Sequence, residues 1–238
     1  MQHSIETTGR PVFAKARLLD PEKKQIAQKE FAELERVGIV RRSSSPWSSP
    51  LHMVPKPDGS WRPCGDYRRL NAATVPDKYP LPNVQDFAGN LAGCTVFSKI
   101  DLVKGYHQVP MAVDDIPKTA IITPFGMFEY LCMPFGLCNA AQTFQRMMDM
   151  IFQDLPHTFV YLDDCLVASK NMSEHLVHLQ QVMDRLQAAG LRVNFKKCLF
   201  AVPSLQFLGH TVNESGMSPV KDNVAAVSNF PPPSDIKQ

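Results

Sequence analysis

Two adjacent carboxylates, Asp163 and Asp164, interrupt the run TFVYLDDCLVAS at 158–169. Phe159, Val160, Leu162, Leu166 and Val167 are sheet-forming and apolar, so the segment is expected to be two short strands about a tight turn. Like charges held at such a bend repel one another and lose hydration, which calls for a compensating cation. Hard oxygen donors favour Mg²⁺. Asp101 ends another apolar strand, Val96-Phe97-Ser98-Lys99-Ile100, in the same way. Two strand-borne carboxylate sites on one sheet can hold two metals about 4 Å apart, one activating an attacking 3′-hydroxyl and the other steadying a leaving pyrophosphate. An Asp-Asp pair is also a common loop feature. Asp114-Asp115, followed by Ile116-Pro117, is expected to be simply solvated, and the residues of 163–164 alone leave a plain loop role open.

The rest of the chain is a mixture of helix and strand without strict alternation, which points to an α+β fold with an antiparallel sheet. Residues 1–20 look extended. Asp20 as N-cap and Pro21 at the first helical position start a helix with Ile26, Phe31, Leu34 and Val37 on its apolar side, and Gly38 stops it. The Ser/Pro stretch 43–50 cannot be helical. LHMV and SWRPC read as strands joined by Pro57-Asp58-Gly59, with Lys56 and Arg62 on either side of the turn. A Pro-rich loop covers 72–83, a helix 83–92 and a strand 95–102. A hairpin over 118–133 turns at Pro124-Phe125-Gly126, and a helix over 139–155 has Asn139 as N-cap. Ser173 is expected to cap a helix that Gly190 ends, and LRVNFKKCLFAV and LQFLGHTV are each read as strands.

The 238 residues are 44% hydrophobic, enough for one large domain or two small ones. No apolar run approaches a bilayer span and no secretory leader is evident, so no membrane partner is expected and the location is taken as intracellular: cytoplasm, a virus-like particle or the nucleus. Six cysteines form no C-x-x-C pair and read as free thiols. His175 and His178 in HLVHL resemble a metal pair but fit better as surface plus packing. Residues 1–78 carry 14 basic against 9 acidic side chains and residues 79–238 carry 11 against 14. A basic front and a mildly acidic back suit a polyanion grip joined to a metal site.

Tyr161-Leu162-Asp163-Asp164 resembles the YxDD box of reverse transcriptases. WSSPLHMVPKPDGSWRPCGDYRRLN (47–71), FSKIDLVKGYHQ (97–108), MPFGLCNAAQTFQR (133–146) and FLGH (207–210) resemble blocks of the same family in the same order. The closest group is the Ty3/gypsy-like LTR retrotransposons, and the likeness covers nearly the whole chain. One departure is Asn139-Ala140-Ala141 where the family often has Asn-Ala-Pro.

The resemblance implies a right-hand polymerase with fingers and palm subdomains and an antiparallel palm sheet. It divides the chain into an extended segment 1–20, mostly fingers 21–94, palm 95–115, a fingers/palm hairpin 116–138, palm with the YLDD hairpin and primer grip 139–215, and the start of a palm–thumb connection 216–238. The chain stops where a thumb would begin, so the thumb is expected to be missing or incomplete and processivity poor, as in a piece of a longer Pol polyprotein with RNase H and integrase domains, or a truncated gene copy. Position by position, the resemblance makes Asp101, Asp163 and Asp164 the catalytic triad, with the Leu102 carbonyl assisting at the metal. Lys56 and Arg62 would clamp the triphosphate, Tyr106 would be the steric gate against a 2′-hydroxyl, and Phe135 would lie beside the sugar. Asp66, Arg68 and Tyr161 would lie near template or primer, and Phe207, Leu208, Gly209 and His210 would form the primer grip. The implied activity is RNA-directed DNA synthesis with dNTPs on a primed RNA or DNA template, using two Mg²⁺, with Mn²⁺ as a substitute. The rival expectations are a folded retroelement fragment that binds nucleic acid without polymerising, and an RNA-dependent RNA polymerase.

Overall fold

The computed structural model describes residues 1–220. The elements follow in chain order: α1 (Pro21–Arg36), β1 (Val40–Arg42), β2 (Ser49–Pro55), β3 (Trp61–Gly65), α2 (Arg68–Ala73), α3 (Val84–Ala88), β4 (Val96–Asp101), β5 (Ile121–Thr123), β6 (Gly126–Tyr130), α4 (Ala140–Phe152), β7 (Thr158–Tyr161), β8 (Asp164–Ser169), α5 (Met172–Ala188), β9 (Leu199–Val202), β10 (Ser204–Phe207), β11 (His210–Asn213) and β12 (Gly216–Pro219). Short 3₁₀ turns cover Gly105–Gln108 and Val113–Thr119. The described residues form two compact units, one of residues 1–81 and 104–147, the other of residues 82–103 and 148–220. The expected connection at 216–238 falls largely outside the described residues.

The first unit is built on a sheet of order β1-β6-β5-β2-β3. Its pairs are antiparallel except β2 with β5, which run parallel through Ser49↔Ile121 and Pro50↔Ile122. α1 begins as expected, with the Asp20 carboxylate accepting the Lys23 N–H at 2.8 Å. Ala27, Phe31 and Leu34, spaced four and three apart, form its buried stripe. Val37, expected on that stripe, is exposed because the helix has already ended at Arg36. Phe31 packs on Phe128 with ring centres 4.8 Å apart.

Helix α2 was not foreseen. The same segment supplies Asn71, whose side chain donates to the Gly136 carbonyl at 2.8 Å and accepts from the Cys138 N–H at 2.9 Å. Asn139 precedes α4, but its amide is turned to the Pro-rich loop rather than to the helix. It accepts from the Asp77 N–H at 3.0 Å and donates to the Val75 carbonyl at 2.8 Å. Asn71 ties the 133–146 block to the end of the 47–71 block, and Asn139 ties it to the loop at 75–77. Asp115, expected to be solvated, is buried. It accepts the Ile5 N–H at 2.8 Å and pairs with Lys118 Nζ at 2.8 Å.

The second unit centres on an antiparallel sheet of order β7-β8-β4-β9. Side-chain alternation gives it two faces. Phe97, Phe159, Leu166 and Ala168 lie on one, in a core with Phe87, Leu91, Phe207 and Val212. The Phe87 and Phe159 rings stack at 4.5 Å, and each fully buried aromatic here contributes roughly 1.5–3 kcal/mol. The other face carries Ser98, Cys165, Val167 and Ser169 beneath α5. There Ser98 Oγ meets His175 Nε2 at 2.7 Å, and Ser169 Oγ meets Nδ1 of both His175 and His178 at 2.8 Å. His175 is therefore a buried structural histidine.

Asn171, not Ser173, caps α5 by accepting the Glu174 N–H at 2.9 Å. Its side chain reaches the third residue on, which Ser173 inside the first turn cannot do. The segment 191–202 is a strand only from Leu199. Before that, Asn194 to Lys197 form a turn, and Ala201 at φ 52° with a register shift against β4 marks a bulge. LQFLGHTV is two strands rather than one. Leu208 and Gly209, at φ 47° and 75°, make the turn of a β10–β11 hairpin. Among the described residues, no helix is long and apolar enough to cross a membrane.

Candidate active site

The three aspartates are brought to one end of the second unit's sheet. Asp101 closes β4 and stands opposite Asp164, which opens β8 in antiparallel register. Directly opposed residues share a face, with Cβ atoms about 5 Å apart. Tyr161 is the partner of Asp164 on the other side. Leu162 and Asp163 form the two-residue turn between β7 and β8, and Leu162 sits at φ 54°. A left-handed leucine costs roughly 1–2 kcal/mol, so the hairpin holds Asp163 at its tip at some expense in backbone strain.

The backbone beneath Asp101 is held from the far side. Its carbonyl accepts the Asn194 N–H at 2.8 Å, and its N–H points at Cys198 Sγ at 3.4 Å. Leu102 is buried and bridges to Val193. Burial pushes the Asp163 carboxyl above the usual carboxylate range, and the Asp164 and Asp101 charges push it the same way. The Cys165 thiol behind them is pushed well up by burial, with Asp164 and Asp163 adding to the effect.

One residue of this site escaped the sequence reading. Lys99 stands two residues before Asp101, on the same face of β4, and its Nζ lies 2.8 Å from Asp164 Oδ1. The period-2 rule of a strand was the available signal.

The expected primer grip is divided by the fold. Phe207 is fully buried in the core of this unit. Leu208 and Gly209 form the turn, and His210 Nδ1 sits 3.0 Å from the Leu208 carbonyl.

The expected nucleotide contacts all fall in the first unit. Lys56 opens the β2–β3 turn, where its N–H donates to the Ser60 carbonyl at 2.7 Å and its carbonyl accepts the Gly59 N–H at 3.0 Å. Arg62 lies on β3 opposite Val54, and its guanidinium is 5.8 Å from the centre of the Phe135 ring. Tyr106, on the 3₁₀ turn, lies 5.0 Å from Phe135 and 5.3 Å from Phe144. Phe135 keeps 41% of its surface exposed. A cation, an open aromatic and a tyrosine are thus neighbours. Asp66 is clasped by Arg68 Nη2 at 2.7 Å and Arg17 Nη2 at 2.6 Å, and these guanidiniums, Arg68 first, hold its carboxyl far below the usual range. Asp66 and Arg68 therefore act first on each other.

Among the described residues, no three His, Cys, Asp or Glu side chains close around a common point as a preformed metal cage. The donors nevertheless fit a hard cation. They are partly exposed carboxylates, two of them opposed across a strand pair, and the charge repulsion at Asp163 is what a cation relieves. Mg²⁺ is commonly held by one or two carboxylates and completed by substrate phosphates.

The family model for reverse transcriptase (RNA-dependent DNA polymerase) matches residues 54–212. The retrovirus-related Pol polyprotein from transposon 297 of Drosophila melanogaster is 40% identical over 246 residues, covering 100% of this chain and 23% of its own length. The transposon Tf2-3 polyprotein of Schizosaccharomyces pombe is 34% identical, covering 92% of this chain and 17% of its own. The chain thus spans about a quarter or less of these relatives. Among solved structures, the foamy viral protease–reverse transcriptase in complex with double-stranded DNA matches with TM-score 0.90 at 26% identity, over 100% of this chain and 42% of that one. The same viral protein with an RNA/DNA hybrid matches at 0.87, over 98% and 32%. The sheets fit the fingers and palm of that polymerase fold. The chain belongs to the reverse transcriptase family, with Pol polyproteins of Ty3/gypsy-type LTR retrotransposons among its relatives.

Proposed function

We propose that this chain is the polymerase domain of a retroelement Pol polyprotein, extending a primer 3′ end with dNTPs on an RNA or DNA template. The observation that carries the reading is the opposition of Asp101 and Asp164 across β4 and β8, with Asp163 at the adjoining tip. Bound at these carboxylates, two Mg²⁺ ions, or Mn²⁺ in their place, supply activation of the 3′-hydroxyl and charge neutralisation at the leaving pyrophosphate. Asp101 and Asp163 are the main ligands in this reading, the Leu102 carbonyl assists, and Asp164 completes the set.

Four further residues, all of the first unit, take the nucleotide roles in this reading. Arg62 and Lys56 face the triphosphate as donors, Phe135 offers an apolar surface to the sugar, and Tyr106 closes the space a 2′-hydroxyl needs. The packing of Tyr106 against Phe135 and Phe144 supports a fixed ring, which a steric gate requires. Tyr161, beside Asp164, and the turn at Leu208–His210 take the primer contacts in this reading. Asp66 and Arg68 face the template as a paired unit.

The test is primer extension by the 238-residue chain on an RNA template with dNTPs and Mg²⁺. Extension that needs Mg²⁺ and prefers dNTPs supports the reading. Binding of primed template without extension marks instead a folded nucleic-acid-binding fragment, and equal use of rNTPs marks an RNA polymerase.

A further inference from the structure

We propose that Lys99 is a positioning residue that acts as the built-in counter-ion of the metal site, holding Asp164 until a divalent cation competes for it. The inference rests on the reading of Asp101, Asp163 and Asp164 as metal ligands.

The geometry follows from strand register. Asp101 pairs with Asp164 and Lys99 with Leu166, so Lys99 is the diagonal neighbour of Asp164 on the same face. Diagonal Cβ atoms are some 7 Å apart, a gap a lysine stem can cross. Lys99 does cross it, with Nζ 2.8 Å from Asp164 Oδ1. The two side chains keep only 24% and 28% of their surface, so the pair is less screened than a surface salt bridge. Lys99 Nζ also lies 5.9 Å from the centre of the Phe207 ring, within reach of a cation–π contact. Phe207 is fully buried, so the ammonium has a rigid aromatic neighbour as well as the carboxylate.

Three carboxylates at one sheet end repel one another when no cation is present. Lys99 offsets one of those charges and fixes the direction of one carboxylate. A carboxylate has lone pairs enough for both partners, but the Lys99 ammonium repels a second cation brought to the same group, so metal binding at Asp164 loosens the pair. Lys99 therefore stabilises the metal-free site and weakens its hold on metal.

The experiment is a thermal-shift titration with Mg²⁺ alone, without nucleic acid or nucleotide, on the full chain and on Lys99→Met, Lys99→Arg, Asp164→Asn and the Lys99→Met/Asp164→Asn double variant. Lys99→Met is expected to lower the metal-free Tm and to lower the half-saturating Mg²⁺ concentration at least threefold. Lys99→Arg keeps the charge and stays within twofold of wild type. In the Asp164→Asn background, Lys99→Met changes the midpoint no further, which a purely structural role of the lysine stem does not explain. Should Lys99→Met not fold, Lys99→Gln carries the same comparison. An unchanged or raised midpoint in a folded, uncharged variant overturns the proposal while leaving the site reading intact. A wild-type chain that gains no stability from Mg²⁺ overturns the site reading and the proposal together.

Discussion

The chain contains two Asp-Asp pairs, and the fold treats them in opposite ways. At 114–115 the second aspartate is buried and its oxygens are taken by groups of its own unit, the Ile5 N–H and Lys118 Nζ. His3, 1% exposed, lies close enough for Asp115 to act on its charge. At 163–164 the pair sits at a hairpin tip. One carboxylate carries a raised affinity for protons, and the other is held by a single lysine. The first pair is closed by internal donors and so belongs to the structure. The second stands at the end of a sheet, with one carboxylate raised in proton affinity and the other held by Lys99, and is the pair proposed for chemistry. An acidic dipeptide is thus classified by what satisfies it.

Substitutions break or sharpen this contrast. The largest effect is expected from Asp101→Asn, which removes a charge of the proposed metal site with little change of shape. Mg²⁺-dependent primer extension should fall on the order of 10³-fold, while the Tm stays within a few degrees of wild type. Asp115→Asn should do the reverse, since it removes the counter-charge of Lys118, which keeps its bond to the Ile5 carbonyl in a partly buried position. Urea unfolding should show a loss of about 2–3 kcal/mol.

The pH dependence of the closed site sharpens the contrast further. Burial lowers the His3 pKa to about 4, against the opposing pull of Asp115. Because the folded value lies below the unfolded one, the unfolded chain binds the proton more readily. The contribution is therefore fully present above pH 6.5 and is lost as pH falls towards 4. It amounts to about 3 kcal/mol when complete, and denaturant melts between pH 7 and 4 on wild type and His3→Gln measure it. Tyr106→Ala is expected to have the smallest effect, a rise of about tenfold in rNTP incorporation relative to dNTP. An unchanged ratio removes the gate role from Tyr106.

Much of the arrangement was legible in the sequence because it rests on local rules. The hairpins at 51–65 and 121–130, the start of α1 at Asp20-Pro21 and the strands flanking Asp163 follow from turn residues, caps and alternation. What escaped needed tertiary knowledge. Asn139 looked like a cap, yet its amide serves the loop at 75–77. Asp115 looked solvated because its donors lie 110 residues upstream, at Ile5, and one helical turn on, at Lys118. The strand expected over 191–198 gives way to a turn that carries the backbone donor to Asp101. Lys99 was visible as a letter beside Asp101, but its partner came from another strand.

The most direct test of the central claim is single-turnover extension of a DNA primer on an RNA template by Asp163→Asn beside wild type, at saturating Mg²⁺ and dNTP. The account predicts a fall of about a hundredfold or more in the extension rate with no loss of thermal stability, because the substitution removes one of the crowded like charges. An Asp163→Asn chain that extends the primer at the wild-type rate contradicts the account.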